Sequence, residues 1–302
     1  MPELPEVETI RRHLAPHVEG RTLRTLAIDD ARWCQPLAPA ELTAAVEGRR
    51  VARLSRRGKY LMWELEDDVF LLMHLRMTGT LLLDPPARPP HTRVRFAVGE
   101  HALAFVDPRR FGTGELALGH AALEAFFTAR LGLEPFSPDF TTAHLRALAR
   151  ASRAPVKAFL LDQKRIAGVG NIYADEALFR ARIHPLRPAN RLSAKQCAAL
   201  HDAVIASLEA GIAAKGATID DFRHPDGVSG SFQDQFLVHR REGLPCPACG
   251  APVRKLRAAG RGTYVCESCQ RPPRARPAPR TRVYATAASS ARCPARSAWT
   301  SS

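Results

Sequence analysis

One spacing restricts this 302-residue chain more than any other feature. Cys246 and Cys249 are separated by two residues, sixteen residues follow, and Cys266 and Cys269 repeat the pair. Four soft thiolates in that arrangement close a tetrahedral zinc site. The segment around them lacks the apolar residues for a core of its own, so the metal must hold it. Gly250 after the second cysteine and the run GRGTY before the third suit a zinc-ribbon β-hairpin. With cysteine in all four positions the ion is structural and keeps no open position for chemistry. Cys34, Cys197 and Cys293 stand outside the pattern and read as ordinary thiols. In a reducing compartment, cysteines paired in this way argue for metal over disulfides.

Charge narrows the partner. The chain holds 44 Lys and Arg against 30 Asp and Glu, a formal net charge of +14, which points to a polyanion and first of all to nucleic acid. Residues 271–302 contain seven Arg and no acid, so half of that excess sits in the tail and the body is more moderately basic. The opening MPELPEVET carries acids and prolines where a signal peptide would be basic and then apolar. No uninterrupted apolar stretch reaches the length of a bilayer span, so a cytosolic protein with no membrane contact is expected.

The periodicity changes along the chain. Val7, Ile10 and Leu14 follow helical spacing after Pro5, with Glu6 and Glu8 near the positive helix end. From Val51 to Leu118 come short apolar runs, VARLSRRGKYLMWEL, VFLLMHL, TLLL, VRFAV and LAFV, broken by Gly, Pro and Asp, which read as an antiparallel sandwich. From Ala121 to Ala214 apolar positions recur at helical intervals among Ala-rich polar ones. HPDGVSGSFQDQ, residues 224–235, reads as a flexible loop. The tail is biased toward Pro, Arg, Ala and Ser and reads as disordered.

The N-terminus offers a nucleophile. A main-chain amine has a reference pKa of about 7.7–8.0 against about 10.4 for lysine, so Pro2, once Met1 is removed, supplies unprotonated amine at neutral pH. A secondary amine also yields an iminium that stays cationic without a proton, and such a cation on a sugar carbon acidifies the neighbouring C–H. Taken alone, a proline at position 2 signals little beyond Met removal.

PELPEVETIRRHL, SRRGKYL, HLRMTGTL, DPRRFG, DQKRIAGVGNIYADEALFRARIHP and the cysteine module resemble, in order and approximate spacing, the formamidopyrimidine-DNA glycosylase family. The resemblance covers nearly everything up to Gln270. It implies an α+β multidomain protein: an N-terminal antiparallel β-sandwich flanked by helices (1–120), a helix-two-turn-helix DNA-binding domain (121–223), a lesion-recognition loop (224–235), a zinc-ribbon finger (236–270) and the Arg/Pro-rich tail (271–302). It implies a monomeric glycosylase and apurinic-site lyase of base excision repair, acting on damaged double-stranded DNA and removing 8-oxoguanine and formamidopyrimidines.

By the same resemblance Pro2 attacks the anomeric carbon and Glu3 serves as the acid/base group. Lys59 contacts phosphate and assists β-elimination, and Arg261 grips phosphate and assists δ-elimination. Asn171 binds phosphate, and the Gly-rich turn GVGN opening a helix offers backbone N–H groups to an anion. Met77, Arg109 and Phe111 fill the hole left by the flipped base. Arg153 and His91 are further DNA contacts. Without the family, Lys59 reads as a surface lysine, Met77 and Phe111 as core, His91 as a surface histidine and Asn171 as a helix cap. The neighbouring Thr78, Gly79, Gly112 and Gly114 favour loop tips for Met77 and Phe111.

The chain departs from the family pattern in three places. Asp220 stands in ATIDDF, SGSF replaces a PGGF-like run, and His239–Arg240 replaces a Tyr-Gly pair. None touches Pro2, Glu3 or Lys59, so catalysis is expected to survive, while lesion preference stays open between oxidised purines and an endonuclease VIII-like choice of oxidised pyrimidines. A zinc-ribbon damage-binding protein without catalysis is the remaining alternative, and it predicts loss of Pro2, Glu3 or Lys59.

Overall fold

The computed structural model describes residues 1–218 and 230–273. Asp220, residues 224–229 of the expected loop, and the tail from residue 274 with Cys293 lie outside the described residues.

Two four-stranded antiparallel sheets face each other. The first has the order β1 (Leu23–Ile28), β6 (Thr92–Val98), β7 (His101–Val106), β5 (Thr80–Leu83). The second runs β2 (Val51–Arg57), β3 (Tyr60–Leu65), β4 (Val69–His74), β8 (Thr113–Leu118). Strand alternation sends Leu61, Trp63, Leu71 and Met73 into the space between the sheets, where Trp63 stacks on Phe96 at 5.4 Å. Tyr60, Met62, Phe70 and Leu72 point the other way and are covered by Leu123 and Phe127 of α3 (Gly119–Thr128). The central strands are therefore buried on both faces, which is why they read as continuous apolar runs. Strand β1 was not apparent from the sequence. Helix α3 packs on the sandwich, although its residues fall mostly within the stretch assigned to the helical domain.

Helix α1 (Leu4–Val18) joins the two halves. Val7, Ile10, Leu14 and Val18 enter the sandwich core, while Leu4 belongs to the helical core. That second core gathers α4 (Thr142–Arg150), α5 (Val156–Leu161), α6 (Asn171–Arg180) and α7 (Ala194–Ala213). Residues 232–235, expected in a flexible loop, instead form a short 3-10 turn, and Phe232 is fully buried, stacked 5.1 Å from Tyr173. Burying an aromatic ring outweighs the turn-forming composition around it. The chain ends its described part in a hairpin, β9 (Arg254–Ala258) and β10 (Arg261–Val265). Cys34 and Cys197 are buried. Among the described residues no helix is long and apolar enough to cross a membrane.

Candidate active site

The start of α1 is pressed against the start of α6. The Leu4 amide donates to the Gly168 carbonyl at 3.1 Å, and Pro2 and Glu3 are buried. The Glu3 carboxylate accepts the Ile172 amide at 3.0 Å and the Tyr173 amide at 3.5 Å. The N–H groups expected to face a phosphate are thus taken up by a carboxylate from the other end of the chain, which satisfies the same helix-end preference for negative charge. Gly170 makes room for it: a Cβ there would stand 2.2 Å from the Glu3 carboxyl carbon. Gly168 has φ +84° and faces the Leu4 side chain.

Glu6 completes the junction. Its carboxylate accepts the Glu3 amide at 2.8 Å, the Tyr173 hydroxyl at 2.7 Å and the Ala217 amide at 2.8 Å. Burial, joined by repulsion from Glu3, pushes its pKa above the usual carboxylate range despite these donors. Sequence reasoning took Glu6 for a helix-start acid and missed its long-range contacts, because Tyr173 and Ala217 lie beyond residue 170.

Lys59 stands in the turn between β2 and β3 and is only 5% exposed, so it is not the surface lysine its neighbours suggest. Glu134 holds this turn through the Gly58 amide and through Arg56 Nη1 at 3.0 Å. Burial draws the Lys59 pKa below the usual lysine range; the Glu3 and Glu6 charges oppose that fall, and Arg261 adds to it. The structure therefore brings Glu3, Glu6, Lys59 and Arg261 within electrostatic reach of one another next to Pro2.

Arg261 is exposed at the head of β10. The backbone beside it is fixed from below. Lys157, fully buried on α5, donates to Asp175 Oδ1 at 2.7 Å, to Thr263 Oγ1 at 2.8 Å and to the Gly262 carbonyl at 3.3 Å. Burial pulls its amine below the usual lysine range, against the attraction of Asp175. Asp175 Oδ2 also meets His239 Nδ1 at 2.9 Å and the Tyr264 amide at 3.4 Å. Asn171, expected on phosphate, uses its Nδ2 on the Gly262 carbonyl at 3.2 Å, while its buried Oδ1 makes no hydrogen bond. Gly170, not Asn171, is the N-cap of α6. Lys157 and Asp175 were missed, although a lysine two positions before the apolar pair Phe159–Leu160 carried a signal.

The four cysteines converge, with all ligand atoms within 4.8 Å of one another. Cys246 and Cys269 sulfurs are 3.9 Å apart and those of Cys249 and Cys266 3.5 Å. Thiolates around one tetrahedral zinc stand about 3.8 Å apart for Zn–S bonds of about 2.3 Å, so the set fits zinc. Val238, Val253 and Phe179 of α6 pack beside it and seat the finger on the helical half.

Met77 and the pair Arg109–Phe111 occupy two neighbouring loops. Phe111 is 51% exposed and Met77 half-buried, with the Arg109 guanidinium 4.9 Å from the Phe111 ring centre. Buried Asp107, also missed from the sequence, ties the loops together by accepting the Phe111 and Gly112 amides at 2.8 and 2.7 Å and by bonding the Thr78 hydroxyl. His91 and Arg153 stand on separate exposed loops, His91 with φ +63°.

Comparison with known proteins agrees with this geometry. Residues 1–114 match the formamidopyrimidine-DNA glycosylase N-terminal domain, 131–223 its helix-two-turn-helix domain, and 243–272 a zinc finger found in these glycosylases and in IleRS. The chain belongs to the formamidopyrimidine-DNA glycosylase family. The enzyme of that name from Thermus thermophilus is 47% identical over 274 residues, 89% of this chain and 98% of the relative. Its counterpart from a Roseiflexus species is 43% identical, covering 90% and 100%. The crystal structure of the Thermus thermophilus MutM (Fpg) protein superposes with a TM-score of 0.81 at 45% identity, covering 89% of this chain and 98% of that one. Lactococcus lactis Fpg bound to DNA containing an abasic site gives 0.84 at 35% identity, covering 89% and 100%.

Proposed function

We propose that this member of the family is a bifunctional glycosylase and apurinic-site lyase of base excision repair, acting on damaged double-stranded DNA. The observation that carries the reading is the burial of Pro2 and Glu3 at a junction where Lys59, Glu6 and Arg261 share one electrostatic environment. With Met1 removed, the Pro2 nitrogen attacks C1′ of the damaged nucleotide, the glycosidic bond breaks, and the base leaves with a proton. Glu3, held by the α6 amides, is placed to manage proton transfer at the opening sugar. The resulting iminium acidifies the C2′ hydrogen. Loss of that proton expels the 3′ phosphate, and a second elimination expels the 5′ phosphate. Lys59, whose burial favours its neutral form, serves the first elimination and Arg261 steadies phosphate for the second. The finger's zinc supplies no reaction chemistry and holds the hairpin that presents Arg261.

Asn171 is assigned to phosphate, Arg153 and His91 to further DNA contacts, and Met77, Arg109 and Phe111 to the space vacated by the flipped base. A cytosolic location fits a reduced cysteine site. The preferred lesions are oxidised purines. A mutant Lactococcus lactis Fpg has been crystallised with DNA containing Fapy-dG and the wild-type protein with DNA containing an oxidised pyrimidine, so both classes enter the test. Borohydride trapping on duplexes carrying 8-oxoguanine or an oxidised pyrimidine is expected to link the enzyme covalently to DNA, most efficiently on 8-oxoguanine. The adduct should vanish in Pro2→Gly. Base excision without any trapped adduct would refute the Schiff-base reading, and stronger trapping on the pyrimidine would refute the lesion preference.

A further inference from the structure

Three histidines stand together on the face of α1 far from Pro2. His13 and His17 lie one turn apart, with ring centres 5.9 Å apart, and His17 meets His101, the first residue of β7, at 5.0 Å. His101 Nδ1 is 2.7 Å from Asp84 Oδ2, and the other oxygen of Asp84 accepts the Ala102 amide at 2.7 Å. We propose that His13, His17 and His101 form a surface site for a divalent transition-metal ion of the zinc class, separate from the four cysteines.

Histidines at i and i+4 on a helix share one face and can chelate a single ion. Two imidazoles on one tetrahedral ion have ring centres about 5.2 Å apart for metal–nitrogen bonds of about 2.1 Å, and the separations here bracket that figure. A carboxylate can only accept, so in the neutral ring Nδ1 of His101 is the donor and Nε2 keeps the lone pair a metal needs. Asp84 thereby plays the carboxylate role that orients metal-bound histidines. His17 lies in the last turn of α1, where the helix end favours a cation. Arg21 Nε bonds the His17 carbonyl at 2.7 Å and opposes an added charge, which Asp84 offsets. Among the described residues only the cysteines already hold three or more ligand atoms within 4.8 Å of one another. The histidine site closes by side-chain rotation, which partly exposed rings perform readily.

The ion would clamp the end of α1 to the β6–β7 hairpin, roughly 20 Å by helical rise from Pro2. The test is calorimetric titration of the zinc-loaded enzyme with further Zn2+ at neutral pH, alongside His17→Gln, His101→Gln and Asp84→Asn. One extra equivalent is expected, with affinity at least tenfold lower in each histidine variant and about 10–100-fold lower in Asp84→Asn. The melting temperature of the parent enzyme should rise with added Zn2+ more than that of the histidine variants, because the assembled site binds the ion more tightly than the unfolded chain does. Without added metal the variants should fold and excise as the parent does. Absence of an extra equivalent, or one retained unchanged in both histidine variants, would overturn the proposal.

Discussion

Replacing Lys157 with Met probes how the finger is fixed to the helical half. Lys157 and Asp175 are both fully buried, and their ion pair is supplemented by bonds to Thr263 and Gly262. Removing one partner of such a pair costs about 3–5 kcal/mol, because the other charge stays buried without compensation. Asp175 would keep His239 and the Tyr264 amide, which places the expected cost near the lower end, about 3 kcal/mol. Opening of the β9–β10 hairpin breaks the bonds to Gly262, Thr263 and Tyr264 and lets water reach Asp175, which relieves its stranded charge, so the cost is expected as a roughly 150-fold faster amide exchange in residues 254–265 of the zinc-loaded protein. Hydrogen-exchange mass spectrometry measures it. The decisive comparison is Lys157→Met with Asp175→Asn, which removes the stranded charge and should recover at least half of the loss. An exchange rate within about fivefold of the parent, or a double variant whose costs simply add, would refute the assignment of a tight buried pair.

Gly170→Ala should fold yet lose most excision, since its Cβ would meet the Glu3 carboxyl carbon at 2.2 Å; single-turnover rates on 8-oxoguanine duplex, with circular dichroism as the folding control, check it. Cys246→Ser should release zinc and weaken DNA binding while the N-terminal sandwich stays folded, as metal analysis and titration of an abasic-site duplex would reveal. His74 is nearly buried, and desolvation, with Arg76 and Lys59 nearby, lowers its pKa to about 3. Between pH 6.5 and 3 the unfolded chain binds a proton there that the folded chain does not, so stability falls with falling pH by about 1.4 kcal/mol per unit. Urea midpoints from pH 7 to 5 should therefore fall less steeply in His74→Phe than in the parent.

What could be read from the sequence was what neighbours in the chain decide. The cysteine spacing specifies a tetrahedral site because two short loops suffice to present four thiolates, and it was met by sulfurs 3.5–3.9 Å apart. The spacing of Val7, Ile10 and Leu14 gave α1, and the apolar runs gave β2 to β7, because periodicity is a local property. The order of the motifs carried the family. Tertiary structure alone decided where the charges went. Glu3 reaches amides 169 positions away and Glu6 one 211 positions away, so neither the buried junction nor the elevated Glu6 pKa has a local signature. Lys59 reads as a surface lysine until Glu134 and the helical half enclose its turn. Lys157 and Asp175 become an ion pair only once α5 and α6 meet, and Thr263 joins them from the hairpin. Burial raises the strength and the cost of each charge together, and which groups become buried depends on contacts that no window of sequence contains.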